Sequence, residues 1–329
     1  MIKNNCELTP EILKKFLYEM LYIRLVEEEI ARIYPEQEMR CPVHLSIGQE
    51  AIAVGICANL SRDDFVLSNH RSHAHYLAKG GNLNKMLAEI YGKQTGCCNG
   101  KSGSMHLIDL LQGFLGAVPI VGSCIPIAAG VAFGTKIKKM DNITTVFFGD
   151  GTVEEGVFHE SLNFASLKQL PIVFICENNF FSVYSPLSVR QPPNREIYLL
   201  AKSHGIESFC GDGNNVLEVY QLMKNAIEII KKGNGPVFLE LKTYRWREHC
   251  GPYYDNNLGY RTEEEFNIWK KKCPIEVFTH YLLSNKILDT KMIQDMTQEI
   301  MKKIEDSFNF ARESPFPDED LLMKDIYRE

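Results

Sequence analysis

Two apolar runs of strand length, residues 144–148 (TTVFF) and 171–176 (PIVFIC), stand one helix-length apart and constrain the fold more than any other feature. Neither alternates polar with apolar positions, so each reads as a strand covered on both faces, as in a parallel sheet. Between them, residues 153–167 place Val157, Leu162, Ala165 and Leu167 at helical spacing. Parallel neighbours need a crossover of about a dozen residues or more, and a helix of this length supplies it. The unit is βαβ, and the expected class is α/β with a mainly parallel central sheet.

The rest of the chain extends that plan. Residues 9–33 carry helical periodicity (Leu13, Phe16, Leu17, Met20, Leu21, Ile23), with Thr9 as N-cap and Pro10 at the first helical position. Residues 49–60 and 125–137 are rich in small apolar side chains and suit helices packed closely on a neighbour. A short strand is expected at 65–67, a buried strand at 236–241 and an amphipathic helix at 216–232. Glycine crowds residues 92–116, which argues for ordered loops there. From residue 262 onward the chain is charged and helical. No repeat, low-complexity linker or boundary appears, so residues 1–329 are expected to form one domain with helical N- and C-terminal extensions.

Composition excludes several classes. With 329 residues and 45% apolar content the chain is long enough for a sizeable core. A net charge of -6 gives no footprint for nucleic acid. No apolar run reaches membrane-spanning length. The start of the chain is a short polar lead into a helix without a secretory or transit signature, so a cytoplasmic setting is expected. Ten cysteines lack scaffold-like or CxxC spacing, which points to reduced thiols and away from structural zinc.

Chemistry concentrates where the two strands end. Asp150 follows the first, between Gly149 and Gly151; Asn178 and Asn179 close the second. Ligands of parallel sheets sit at the carboxyl ends of the strands, so an acid and an amide arrive at one edge. Hard oxygen ligands there suit Mg²⁺, which keeps other positions for water and phosphate. A helix beginning near Thr152 would aim N–H groups at a phosphate. GDG alone is more often a plain turn; the later ENN at the next strand's end outweighs that reading.

Competing motifs are weaker. HRSHAH (His70, His73, His75) suggests a metal cluster, but no acidic or cysteine ligand stands nearby and Arg71 sits inside it. GKS at residues 100–102 lacks the earlier P-loop glycine, since Thr95 stands there, and lacks a preceding strand. No GxGxxG occurs. GDGNN at 211–215 repeats the acid and amides without a helix and strand between them, and reads as a turn before the next helix. Glu154 and Glu155 open a helix, where acids are favourable; Glu155 is also a candidate to approach a cofactor.

Taken together, GDGTVEEGVFHESLNFASLKQLPIVFICENN, HLSIGQEAIAVGICANLSRDDFVLSNHRSHAHYLAKGG, GKSGSMH, IVGSCIPIAAGVAFG and KTYRWREH resemble the α subunit of 2-oxo-acid and acetoin dehydrogenase complexes. The resemblance covers nearly the whole chain. It implies a three-layer thiamine-diphosphate-binding fold, thiamine diphosphate and Mg²⁺ as cofactors, and the following site. Asp150 and Asn179 would bind the metal with the carbonyl of Phe181. Gly151 and Thr152 would offer N–H groups to the diphosphate, with Arg71 and His70 beside it. Pro119 and Val121 would meet the aminopyrimidine through backbone groups. His73 and His249 match the active-site histidines.

The resemblance also implies a β subunit that supplies the glutamate facing the aminopyrimidine, in a heterotetramer of two α and two β chains. Glu50 is therefore read as structural. Substrates would be a 2-oxo acid or acetoin, with transfer to a lipoyl-bearing transacylase. Two departures matter. Residues 118–121 read VPIV, and proline stiffens that segment and cannot donate. Cys250 replaces the phosphorylatable serine that follows the loop histidine in mitochondrial relatives, so phosphorylation there is not expected. The continuation GPYYDNNLGYR leaves room for a biosynthetic decarboxylase or ketol-transfer enzyme without a lipoyl partner. A non-catalytic scaffold is disfavoured by the intact Asp150, Asn179, Arg71, His73 and His249.

Overall fold

A computed structural model describes residues 8–321 and 323–324. The polar lead read at residues 1–7 lies outside them. In chain order the strands are β1 Phe65–Ser68, β2 Phe114–Ala117, β3 Thr144–Gly149, β4 Ile172–Asn178, β5 Phe181–Ser182, β6 Ser185–Pro186, β7 Glu207–Asp212 and β8 Val237–Lys242. Six of them make one sheet in the order β2-β1-β3-β4-β8-β7, and every pairing in it is parallel. The remaining two, β5 and β6, form a small antiparallel hairpin beyond the β4 tip.

The helices are α1 Pro10–Ile33, α2 Glu50–Cys57, α3 His73–Ala78, α4 Leu83–Ile90, α5 Cys124–Ile137, α6 Gly156–Lys168, α7 Leu187–Arg190, α8 Ile197–Lys202, α9 Val216–Lys231, α10 Glu263–Lys270, α11 Pro274–Ser284 and α12 Thr290–Glu313. They cover both faces of the sheet. Phe147, Val173, Ile175, Val237 and Leu239 join a core with α1, α2, α4, α9 and the terminal helices α11 and α12. Val146, Phe148, Ile172, Phe174, Cys176 and Phe238 point the other way, into a core with α5, α6 and α8. Side chains alternate across a strand, so two covered faces require apolar residues at every position. That is the physical origin of the unbroken runs in β3 and β4.

Local signals place most boundaries. The Thr9 hydroxyl accepts from the Ile12 N–H (3.4 Å) with Pro10 opening α1. Asn215 caps α9 by accepting from the N–H groups of Leu217 and Glu218, and the turn expected in GDGNN falls at Gly213–Asn214. The glycine-rich loops are ordered by one buried carboxylate. Glu89 accepts from the N–H groups of Cys98 (2.7 Å), Gly100 (2.9 Å), Ser102 (2.7 Å) and Gly103 (3.1 Å).

Three features depart from the sequence reading. The α-helix after β3 starts at Gly156, because Asp150–Glu154 winds as a 3₁₀ turn and Glu155 is extended. Two edge strands, β2 and β7, were not expected. The first has four residues, Gly116 among them, and the second is polar at both ends (ESFCGD), so neither carries an apolar run. No described helix is long and apolar enough to cross a membrane.

The strand order sets the site. The chain leaves β1 toward one edge, to β2, and returns to place β3 on the other side of β1. Loops after β1 and β3 therefore diverge at their carboxyl ends, which opens a crevice at the switch point. In the β3–β4 ladder Gly149 lies opposite Glu177, so Asp150 and Asn179 leave adjacent strand tips nearly level.

Candidate active site

A cavity fills this crevice. The loop after β1 contributes His70 and Arg71, and the segment before α5 contributes Pro119 and Val121. The β3 tip brings Asp150, Gly151 and Thr152; the β4 tip brings Asn179 and Phe181; the segment after β8 brings His249. Of the site residues that the resemblance implies, His73 alone does not line it.

One wall is built of oxygen. Asp150 is 1% exposed, and its Oδ2 accepts from Arg190 Nη2, whereas its Oδ1 is buried without a hydrogen-bond partner. Burial pushes the Asp150 carboxyl above its usual range, and the Arg190 charge opposes that rise. Asn179 donates from Nδ2 to Gln49 Oε1 (3.2 Å), and its Oδ1 accepts the Phe181 N–H (3.2 Å). Asn178 faces the other way, into Glu240 Oε1 (2.7 Å). The pleat thus selects the second amide of the pair for the cavity. Phe180 and Val183 hold positive φ (69° and 55°) as the chain turns around this wall. A β-branched residue in that region is strained, and such strain collects at functional sites. At Gly151 a Cβ would stand 2.7 Å from Ser182 Oγ, so only glycine leaves that backbone open.

These residues fit a hard cation. An unpartnered buried acceptor costs about 1–3 kcal/mol, and a metal–oxygen bond at Asp150 Oδ1 would remove that cost. A carboxylate and an amide carbonyl on adjacent tips are the donor types Mg²⁺ takes.

The facing wall is built of nitrogen. The His44 ring packs edge to face on His70 and His249, with centroids 4.6 and 5.1 Å apart, and the rings of His70 and His249 are tilted at 5.2 Å. Burial pushes all three imidazoles down, to about 2 at His44 and about 3 at His70 and His249, and the Arg71 charge adds to the effect. They stand neutral at physiological pH. Arg71 pins the three segments that bear them. It follows His70, donates from Nη1 to Leu45 O (2.7 Å) beside His44, and donates from Nη2 to His249 O (3.2 Å). Among the described residues no carboxylate pairs with Arg71. Burial and the nearby Arg245 hold its guanidinium down at about 9. Glu27 and Glu177 act on it from a distance and favour its charge, but neither forms an ion pair with it, and a buried cation so placed complements an anionic ligand.

His73, matched to a family active-site histidine, lies outside the cavity lining. It begins α3, which turns its ring inward: Nδ1 lies 3.2 Å from Glu27 Oε1 and Nε2 lies 2.7 Å from Ser104 Oγ, with no exposed surface. His75 is buried too, stacked on Phe147 (3.9 Å) and bonded to Ser68 Oγ (2.8 Å) and Glu177 Oε1 (3.2 Å). Helix geometry therefore splits HRSHAH, leaving only His70 on the cavity. Glu50 is structural: it takes a forked contact from Arg24 (2.6 and 2.9 Å) and the Gly48 N–H (3.0 Å). Glu155 is exposed beside Gly122 and does not line the cavity.

Sequence reasoning missed three participants. His44 and Gln49 lie in HLSIGQE, which carried the resemblance but was given no role. Arg190 sits on α7, 40 residues beyond Asp150, and no local pattern marks it.

Comparison with known proteins shows the family. Residues 18–320 match the family model described as the dehydrogenase E1 component. The α subunit of acetoin:2,6-dichlorophenolindophenol oxidoreductase from Bacillus subtilis (strain 168) is 37% identical over 326 residues, covering 99% of this chain and 96% of that one. The pyruvate dehydrogenase E1 component subunit alpha of Rickettsia felis is 35% identical over 319 residues, covering 97% of each. The chloroplastic alpha-3 subunit of Arabidopsis thaliana is 34% identical over 318 residues, covering 94% of this chain and 73% of its own. The chain belongs to the dehydrogenase E1 component family, the thiamine-diphosphate-dependent oxidoreductases whose α subunits its motifs resemble.

Proposed function

We propose that this chain is the α subunit of a thiamine-diphosphate- and Mg²⁺-dependent enzyme acting on a 2-oxo acid or acetoin. Asp150 Oδ1, Asn179 and the carbonyl of Phe181 hold the metal. Gly151 and Thr152 offer backbone N–H groups to the diphosphate, and Arg71 and His70 meet its charge. Pro119 and Val121 position the aminopyrimidine end. One observation carries the reading: an orphaned, buried carboxylate oxygen and an amide line the same cavity as a buried arginine that is in direct contact with no described carboxylate. A dianionic group bridged by a divalent cation answers both.

When bound, thiamine diphosphate supplies a nucleophilic carbon and an electron sink for cleavage beside a carbonyl. The chain's own part is orientation and proton traffic. Neutral imidazoles at His249, His70 and His44 can hydrogen-bond a substrate hydroxyl or an oxygen that gains charge. An anion bound beside Arg71 would offset the charge that holds their basicity down and so raise it toward the range proton transfer needs. His73, between Glu27 and Ser104, holds the turn that carries His70 and Arg71. Ile120 and Val121 stay 71% and 50% exposed at the cavity mouth. Such apolar exposure supports cover by a β subunit, which would also bring the glutamate for the aminopyrimidine in a heterotetramer of two α and two β chains. The acceptor is a lipoyl group on a transacylase.

The test joins binding to turnover. The chain, assembled with its β subunit, is titrated calorimetrically with Mg²⁺ and thiamine diphosphate. It is then assayed with a panel of 2-oxo acids and acetoin and a dye acceptor. Cofactor-dependent turnover of one of these substrates supports the proposal. Full turnover without thiamine diphosphate sinks it.

A further inference from the structure

Among the described residues, Arg190 is the one cation that touches the proposed metal carboxylate. Its guanidinium lies in a fork: Nη2 donates to Asp150 Oδ2 and Nη1 to Glu154 Oε1, while Nε donates to Ser185 O (3.1 Å). The side chain is 10% exposed, so the pair with Asp150 is shielded from water. Gln191, the next residue, donates to the same Glu154 oxygen (2.9 Å), which fixes the fork from behind.

The two oxygens of Asp150 are thereby made unequal. Oδ2 is held by Arg190, and Oδ1 is buried with no partner, on a residue that lines the cavity. A carboxylate that binds a metal through one oxygen is oriented by hydrogen bonds to the other, and loss of such a partner weakens metal affinity. We propose that Arg190 is a positioning residue for the metal site: it grips Asp150 Oδ2 so that Oδ1 is presented to the divalent cation. The inference rests on the reading that Asp150 binds Mg²⁺.

Geometry favours arginine in this place. Its planar fork reaches Asp150 and Glu154 at once, whereas a lysine ammonium is a point charge on a flexible stem. Both carboxylates come from the 3₁₀ turn after β3, and Arg190 comes from α7, beyond the β5–β6 hairpin. The contact therefore ties the strand tip that holds the cation to the segment that passes over Gly151. Arg190 stays on the protein side of the carboxylate and needs no displacement when a cation arrives at Oδ1.

The experiment measures Mn²⁺ binding by electron paramagnetic resonance, in the full chain assembled with its β subunit and saturated with thiamine diphosphate. Wild type and Arg190→Gln are compared, with circular dichroism as the folding control. Arg190→Gln is expected to weaken Mn²⁺ about tenfold or more, and Arg190→Lys to recover part of the loss. Glu154→Gln keeps the Asp150 contact, so it weakens binding less than Arg190→Gln; if Arg190→Gln fails to fold, the same ordering is read between Glu154→Gln and Arg190→Lys. Unchanged affinity in Arg190→Gln overturns the inference. Tighter binding does so too, since it would make Arg190 a competitor for the carboxylate. Asp150→Ala separates the two claims: if it abolishes Mn²⁺ binding while Arg190→Gln does not weaken it, the metal assignment stands and the role of Arg190 falls. If Asp150→Ala binds normally, the metal assignment itself has failed.

Discussion

The two walls of the cavity are built by opposite means. Oxygen groups on one side ride on adjacent strand tips, where the ladder of β3 and β4 sets their separation before any side chain is considered. The histidines on the other side come from positions 44, 70 and 249, on three irregular segments joined by the Arg71 guanidinium and by two backbone hydrogen bonds, Gly251 N–H to Val43 O (2.8 Å) and Trp246 N–H to Ile47 O (3.0 Å). A strand tip is held by a cooperative sheet; a loop is held by whatever few contacts it makes. The proposed metal-anchoring groups are thus set by the sheet, and the histidines by a few contacts between loops, those of Arg71 among them.

The sharpest way to break that contrast is at the oxygen wall. Asp150→Ala is expected to abolish metal-dependent cofactor binding in calorimetry while the sheet stays folded; normal binding would show that the strand tips are not the anchor. At the nitrogen wall His249→Ala should lower kcat by about 10²–10⁴-fold with little change in cofactor affinity, read from saturation kinetics. A fall in affinity alone would move His249 from proton handling to anchoring. Arg71→Met strips donors from the carbonyls of Leu45 and His249, which should cost about 1–3 kcal/mol for each carbonyl left buried and unpaired. Thermal denaturation measures it, and an unchanged melting point would show that the loops hold themselves.

A fourth effect is smaller and graded with pH. In the folded chain His44 titrates at about 2 and His70 and His249 at about 3, below the ~6.5 of an unfolded histidine. Between those values the unfolded chain binds more protons, so stability is complete above about 6.5 and falls as pH drops toward 3. His44→Gln should flatten the slope of melting temperature against pH; an unaltered slope would assign the acid sensitivity elsewhere. Least of all, Cys250→Ser changes an exposed thiol beside the loop histidine and should shift stability by no more than about 0.5 kcal/mol, with kcat unmoved.

Legibility followed the same divide. The strand runs at 144–148 and 171–176 and the helix between them are contiguous patterns, so the sheet centre and both of its tips could be read directly. The resemblance names Asn179 over Asn178; the pleat supplies the physical reason, sending one amide to Glu240 and the other to Gln49. His73 is read from its match to a family histidine, and only the turn into α3 shows that its ring, like that of His75, is buried away from the cavity lining. His44 and Arg190 reach the site through turns that no periodicity encodes, from segments far along the chain from Asp150. Edge strands β2 and β7 escaped because a short or polar strand lacks the apolar run that marked the sheet centre.

Arg71 combines two duties that are separate in most sites. Its fork is engaged with the carbonyls of Leu45 and His249, yet it also faces a cavity suited to a phosphate. An anion drawing on the same guanidinium changes how firmly the late loop is tied, and by thermodynamic linkage the order of that loop changes the anion's affinity by the same factor. If an anion binds at Arg71, filling one end of the crevice would alter the readiness of the other through that shared guanidinium.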